Sequence, residues 1–366
     1  MLLHKKIDKL TELMKNGGID VLIVGPSADL EYLTGLHPLV DERFKALFVF
    51  NDKRCFYIAP ELYYEETREA LGKDMDIFKW GDGEGFIPAI LKANKKYGLE
   101  GKKIGVNDGI RAVDMIDVSN KIDVKFINGV SIMENLRVIK DEEEKDNLRK
   151  AASIADKAFE DVLKFVKPGI TEGDIKDKLE ELMAAHGGEG LSFQTIIASG
   201  PNSARPHYND YGRVIQDRDV IIMDFGCRYH GYCSDESRTV FVGEPTEEQK
   251  KVYSIVLEAN EKGENIVKEG IKAGDVDRAS RDVIKNAGYG EYFINRTGHG
   301  IGTADHEAPY ISEGNKQILK NGMAFSVEPG IYIAGKFGMR VEDIVLLDEG
   351  KGEILNKVRK DMIVIK

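Results

Sequence analysis

"DFGCRYHGYCSDESRTV", residues 224–240, is the stretch from which the fold of this chain can be read. The preceding "VIIM" is an apolar run that reads as a buried strand. "SRTVFVG" alternates and is rich in Val, Thr and Phe, which reads as a second strand. Tyr229 to Gly231 supply the reversal, and Asp224 and Asp235 stand eleven residues apart, one on each arm. In a hairpin with a two- or four-residue loop, opposed positions have numbers that add to an odd total, as 224 and 235 do. Both carboxylates therefore fall on one face, opposite or diagonal, within side-chain reach. Two like charges that close repel unless a cation or a shared proton lies between them. A solvated hairpin decorated with acids would show the same pattern, so the pair alone leaves both readings open.

The rest of the chain narrows the choice. "VKPGITEGD" at 166–174 is repeated as "VKEGIKAGD" at 267–275, an offset of 101 residues. Each copy leads into a helical stretch, "IKDKLEELMAAHGG" and "VDRASRDVIKNAGYG", that ends in glycines. His207 in "SARPH" and His306 in "TADHE" follow at an offset of 99. The shared order of motif, helix, glycine stop and histidine identifies an internal duplication. It points to a second hairpin in "AFSVEPGIYIAGKFGMRVEDIVLL", which carries Glu328 and Glu342. A pseudo-twofold arrangement would bring the two hairpins face to face, and four carboxylates gathered in one place call for a multivalent cation.

Residues 1–130 alternate strand and helix, with strands at "DVLIVG", "ALFVF", "CFYIA", "KIGV" and "VKFI" separated in places by charged helical stretches such as "ELYYEETREALG". This predicts an α/β N-terminal domain over 1–130 and a second domain over 131–366. A formal charge of −11 argues against a nucleic-acid surface. No apolar run approaches the length of a membrane span. "MLLHKKIDKLTELM" reads as an amphipathic helix rather than a signal peptide, because charges interrupt its apolar positions. Cys55, Cys227 and Cys233 form no metal-binding spacing and no even disulfide framework. A cytoplasmic globular protein with buried thiols is the expectation, and the single tryptophan, Trp80, is expected to be a packing residue.

Between the hairpins lies "TGHGIGTADHE", with His299 and His306 in a glycine-rich segment. Glycines there permit close approach of backbone and substrate. Two Asp, two Glu and one His make an oxygen-rich site that suits Mn²⁺, Co²⁺, Fe²⁺ or Zn²⁺ and lacks the thiolates of a structural zinc site. Two divalent ions use four carboxylates better than one does, and a two-ion site can activate water and polarise a carbonyl oxygen.

"DFGCRYHGYCSD", "GHGIGTADHE", "SVEPG" and "RVED" resemble the signatures of the pita-bread metallopeptidases. The resemblance is closest to their proline-specific branch, the Xaa-Pro dipeptidases (prolidases) and Xaa-Pro aminopeptidases. It covers essentially the whole chain, because that branch carries a creatinase-like α/β domain before an α+β catalytic domain with internal pseudo-twofold duplication. The resemblance implies two divalent ions per subunit, with Mn²⁺ first among the candidates. Asp224 would hold one ion, Asp235 and Glu342 would bridge both, and His299 and Glu328 would complete the other. It further implies that His207 and His306 face the scissile bond and the developing oxyanion, and that Glu328 serves as proton shuttle. A homodimer in which the N-terminal domain takes part is also implied, with Xaa-Pro peptides as substrate.

The sequence departs from the pattern at two places. Ser237 stands where the family usually has Thr, and Tyr310 stands where some of its dipeptidases place an Arg. An arginine there would pair with the free carboxylate of a dipeptide, and Tyr310 offers no charge. The expectation is therefore an Xaa-Pro aminopeptidase that also accepts Xaa-Pro dipeptides. A strict Xaa-Pro dipeptidase is one alternative, and a non-catalytic binding module of the same fold is an alternative of another class. Arg340, beside Glu342, is expected to orient that ligand.

Overall fold

The computed structural model describes residues 4–366, so the first three residues of the expected N-terminal helix lie outside the described residues. The chain separates into two compact units, Met1–Arg137 and Val138–Lys366. Unit one runs α1 (His4–Asn16), β1 (Val21–Val24), α2 (Ala28–Thr34), β2 (Ala46–Phe50) and β3 (Cys55–Pro60). It continues with α3 (Tyr64–Leu71), β4 (Asp76–Trp80), α4 (Ile87–Tyr97), β5 (Lys103–Val106), α5 (Ala112–Ser119), β6 (Lys125–Asn128) and α6 (Val130–Arg137).

Its six strands form one mixed sheet in the order β4-β3-β2-β1-β5-β6. Successive residues of each central strand enter opposite cores. Leu22, Val24 and Val49 pack toward Leu10 and Met14 of α1 and Leu136 of α6. Val21, Ile23 and Phe48 pack toward Ile90 of α4 and Met115 of α5. Burial on both faces explains why these strands read as unbroken apolar runs. Strand β4, "DIFKW", escaped the sequence reading because Asp76 and Lys79 interrupt its apolar residues, of which only Trp80 is buried. That tryptophan packs edge-on against Phe86 and donates its indole N–H to the Phe44 carbonyl, the packing role expected of it.

Unit two opens with α7 (Glu142–Val162), α8 (Glu172–Ala185), β7 (Ile196–Ser199), β8 (Val220–Phe225), β9 (Arg228–Tyr229), β10 (Tyr232–Cys233) and β11 (Glu236–Val242). It then repeats the theme with α9 (Glu247–Asn265), α10 (Ala273–Asn286), β12 (Gly298–Gly300), β13 (Glu307–Ile311) and β14 (Ala324–Val327). The last strands are β15 (Gly330–Ile333), β16 (Phe337–Arg340), β17 (Asp343–Asp348), β18 (Lys351–Ile354) and β19 (Ile363–Ile365).

Helices α8 and α10 begin and end at the same offset, 101 residues, as the duplicated motif. In the first copy that motif is a helix start: Thr171 accepts from the Asp174 amide and Asp174 accepts from the Thr171 amide. Strands β7, β8, β11 and β19 make one sheet, and β12, β13, β14, β17 and β18 make the other. Each sheet is covered by its own helix pair. Phe159 and Leu179 of α7 and α8 meet Ile221 and Met223, and Val276 of α10 meets Val327 and Val345. An antiparallel bridge between Ser237 and Glu342 joins the two sheets where their hairpins meet. The architecture is the α/β unit followed by a duplicated α+β unit that the sequence predicts.

Candidate metal centre

The first hairpin turns on His230 and Gly231, whose φ of 48° and 81° make a two-residue reversal between β9 and β10. The register carries through to the longer strands, where Asp224 pairs with Ser237. Asp235, two residues before Ser237, thus lies diagonally across from Asp224 on the same face. In the second hairpin Val327 pairs with Asp343 and Gly330 with Arg340. Continuing that register sets Glu328 opposite Glu342.

Strand β12 inserts His299 beside them. A Cβ on Gly298 would stand 1.9 Å from the Ser326 carbonyl oxygen, and one on Gly300 would stand 2.2 Å from that of Ala308. The glycines flanking His299 are therefore required by backbone approach on both sides, which is the first half of the role expected of them.

Asp224, Asp235, His299 and Glu342 are buried, and Glu328 is nearly so. His299 Nε2 lies 3.2 Å from a Glu328 oxygen and 3.5 Å from one of Asp235. Its Nδ1 is 3.1 Å from the Gly300 carbonyl. A proton on Nδ1 satisfies that carbonyl and turns Nε2 toward the carboxylates, where it donates to Glu328 without an ion and would offer its lone pair to one. Ligand atoms of Asp235, His299 and Glu342 can all lie within 4.8 Å of one another.

Burial, reinforced by Glu342, Asp224 and Glu328, pushes the Asp235 carboxyl well above the ordinary range. Burial likewise raises Glu342 well above it, with Glu328 and Asp224 adding repulsion. Asp224 is raised by burial despite the Arg340 guanidinium beside it. Glu328 is the exception: burial would raise it, but the hydrogen bond and charge of His299 prevail and hold it low.

One side of the cluster is braced. Arg340 donates to Asp224, to the Ser237 hydroxyl (2.7 Å) and to the Tyr332 hydroxyl (2.8 Å). Ser237 in turn donates to Glu342 at 2.6 Å. The expected role of Arg340 is thus met indirectly, since it grips Asp224 itself and reaches Glu342 through Ser237. The hydroxyl retained at position 237 is what completes the relay, and Tyr332 was not anticipated.

Asp224 Oδ1 and Glu342 Oε1 are buried and accept no hydrogen bond. Orphaned carboxylate oxygens, three carboxyls pushed toward protonation and an imidazole nitrogen turned inward are what a divalent-cation site requires. The residues present fit such ions.

A cavity of about 390 Å³ opens over the cluster. His207 lies exposed in its wall. The ring of His306 stands 3.9 Å from that of His299, edge to face. An edge of His306 is exposed, yet desolvation and then repulsion from His299 hold its imidazole down to about 4. The seven predicted site residues therefore line one cavity. Tyr310 does not, and its ring instead lies beneath Arg296, a lining residue that the sequence reading did not single out. Cys227 and Cys233 are free and buried, and burial pushes their thiols up to about 11 and about 12.

Comparison with known proteins agrees with this geometry. The model of metallopeptidase family M24 matches residues 146–349, and that of the creatinase/prolidase N-terminal domain matches residues 6–139. An Xaa-Pro dipeptidase of Pyrococcus furiosus is 34% identical over 99% of this chain and all of its own length. The crystal structure of a prolidase from Thermococcus sibiricus superposes with a TM-score of 0.95 at 39% identity, covering 100% of this chain and 99% of that one. An X-Pro aminopeptidase from Thermotoga maritima superposes with a TM-score of 0.87 at 33% identity, over 98% and 99% of the two chains.

Proposed function

The chain belongs to metallopeptidase family M24, and from that premise we propose that it is an Xaa-Pro dipeptidase, hydrolysing the bond between a first residue and a C-terminal proline. The observation that carries the reading is the buried carboxylate–histidine cluster at the base of one cavity. Relatives named Xaa-Pro dipeptidase favour the dipeptide reading over the aminopeptidase first expected from Tyr310. The cavity, about 390 Å³, lies within the roughly 300–1,000 Å³ typical of ligand sites and is large enough for a dipeptide.

Asp224, Asp235, His299, Glu328 and Glu342 would hold two divalent ions, with Mn²⁺ the first candidate. Bound there, the ions would supply positive charge that polarises the scissile carbonyl and acidifies water. His306, neutral at physiological pH, donates a ring N–H to the oxygen that becomes negative. Glu328, held ionised beside His299, accepts a proton from the attacking water and passes it to the proline nitrogen as the bond breaks. His207, also in the cavity wall, orients the substrate. Arg340 fixes Asp224 and, through Ser237, Glu342. We also take the protein to be a cytoplasmic homodimer, on the strength of the family resemblance. No helix among the described residues is long and apolar enough to cross a membrane.

Turnover of Ala-Pro and Ala-Pro-Ala by the Mn²⁺-loaded and the metal-stripped protein tests the proposal. Metal-dependent cleavage with at least a tenfold preference in kcat/KM for the dipeptide, about 1.4 kcal/mol, is expected. Equal rates on both substrates would return the assignment to an aminopeptidase, and no turnover of either would leave a binding module.

A further inference from the structure

Two arginines line the cavity, and they differ in what they hold. Arg340 is buried and committed to Asp224, Ser237 and Tyr332. Arg296 is only partly buried and pairs with no carboxylate among the described residues. Its guanidinium instead lies over the ring of Tyr310, 4.9 Å from the centroid. Besides the two arginines, the cavity wall carries five carboxylates and three imidazoles. Arg296 is thus the one permanent cation there that no described carboxylate neutralises.

Stacking on an aromatic face holds the guanidinium plane while leaving its edge, with its fork of N–H donors, free to bind. A carboxylate is the partner that a planar fork of donors matches best. A dipeptide ending in proline carries its carboxylate one residue beyond the scissile bond, and a longer peptide has a neutral amide there. Arg296 lines the same cavity as His306, the group assigned to the scissile carbonyl.

We propose that Arg296, held on the face of Tyr310, binds the free carboxylate of the proline and thereby selects dipeptides. The inference rests on the Xaa-Pro dipeptidase reading above. It also revises the argument from residue 310. The charge absent from that position is supplied by residue 296, and Tyr310 acts as its platform. Strands β12 and β13 make this possible, because their pairing of Gly298 with Ile311 brings the residues just before one strand alongside the end of the other.

The test uses the full chain loaded with Mn²⁺ and compares Ala-Pro with Ala-Pro-amide, which lacks only the terminal charge. The wild-type protein should prefer Ala-Pro at least tenfold in kcat/KM. Arg296→Ala should lose most of that preference through a KM for Ala-Pro raised at least tenfold, with a smaller change in kcat. Arg296→Lys, which keeps the charge but not the planar fork, should fall between. Calorimetric titration with L-proline and L-prolinamide provides a readout without turnover, and Arg296→Ala should bind the two alike.

Retention of the dipeptide preference by Arg296→Ala, or equal losses on both substrates, would overturn the assignment. If Arg296→Ala does not fold, Arg296→Gln carries the same comparison. A wild-type protein that cleaves neither substrate would defeat the dipeptidase reading itself, whereas one that cleaves Ala-Pro while its Arg296 variants stay selective defeats only this inference.

Discussion

Asp235 sits at the point of greatest crowding, because its carboxylate faces Glu342, Asp224 and Glu328 together and has His299 3.5 Å away. Asn has the same shape and no charge, so Asp235→Asn should abolish turnover and lower the metal content of purified protein, read by atomic absorption. Normal stoichiometry and rate in that variant would refute the two-ion assignment. His306 lies one layer further out, against His299 rather than among the carboxylates. His306→Ala should therefore keep its metal and lose mainly kcat, since a donor to the oxyanion acts chiefly in the transition state. Loss of metal from His306→Ala would mean that ligand and donor have been interchanged.

At the level of the element, the two hairpins explain how much of the site the sequence discloses. A strand has a period of two, so the parity of residue numbers is enough to assign each side chain to a face. That is why Asp224 and Asp235 could be set on one face, and the offset of the duplication then led to the segment that carries Glu328 and Glu342. Periodicity says nothing about which side chains meet across long separations. Arg340 and Asp224 are 116 residues apart, Arg340 and Ser237 are 103 apart, and neither contact follows from a pattern. Arg296 on Tyr310 escaped for the same reason, because a stacking contact between a pre-strand residue and a strand has no spacing signature. Glycines are more legible, since the run around His299 announces close approach. Gly298→Ala should cost about 3 kcal/mol or more in urea unfolding, because the clash at 1.9 Å is with backbone and no rotamer relieves it. Gly83→Ala is the control: nothing lies within 4 Å of its Cβ, and its stability should change by about 0.5 kcal/mol or less.

For the whole molecule, the consequence is that unit two has been folded around a charge it cannot neutralise by itself. Four carboxylates and an imidazole share a largely buried site whose one braced cation is Arg340, in a chain whose net charge is already −11. Ions that bind the native site and not the unfolded chain stabilise the fold by mass action, about 2.7 kcal/mol at a hundredfold excess over Kd. A unit of this size loses roughly 2–4 °C per kcal/mol, so chelation should lower its calorimetric transition by about 5–10 °C. Added Mn²⁺ should restore it. Unit one carries no such cluster among its described residues, and it holds the only tryptophan, buried against Phe86. Trp80 fluorescence therefore follows that unit, and its transition should move less than the calorimetric one. Asp235→Asn sharpens the test, because it removes a carboxyl whose ionisation burial and the neighbouring carboxylates oppose. In chelator this variant should unfold at or above the wild-type temperature, and with Mn²⁺ present it should unfold below it. A calorimetric transition indifferent to chelator would mean that the cluster is stable without a cation, and the electrostatic account of the site would fail.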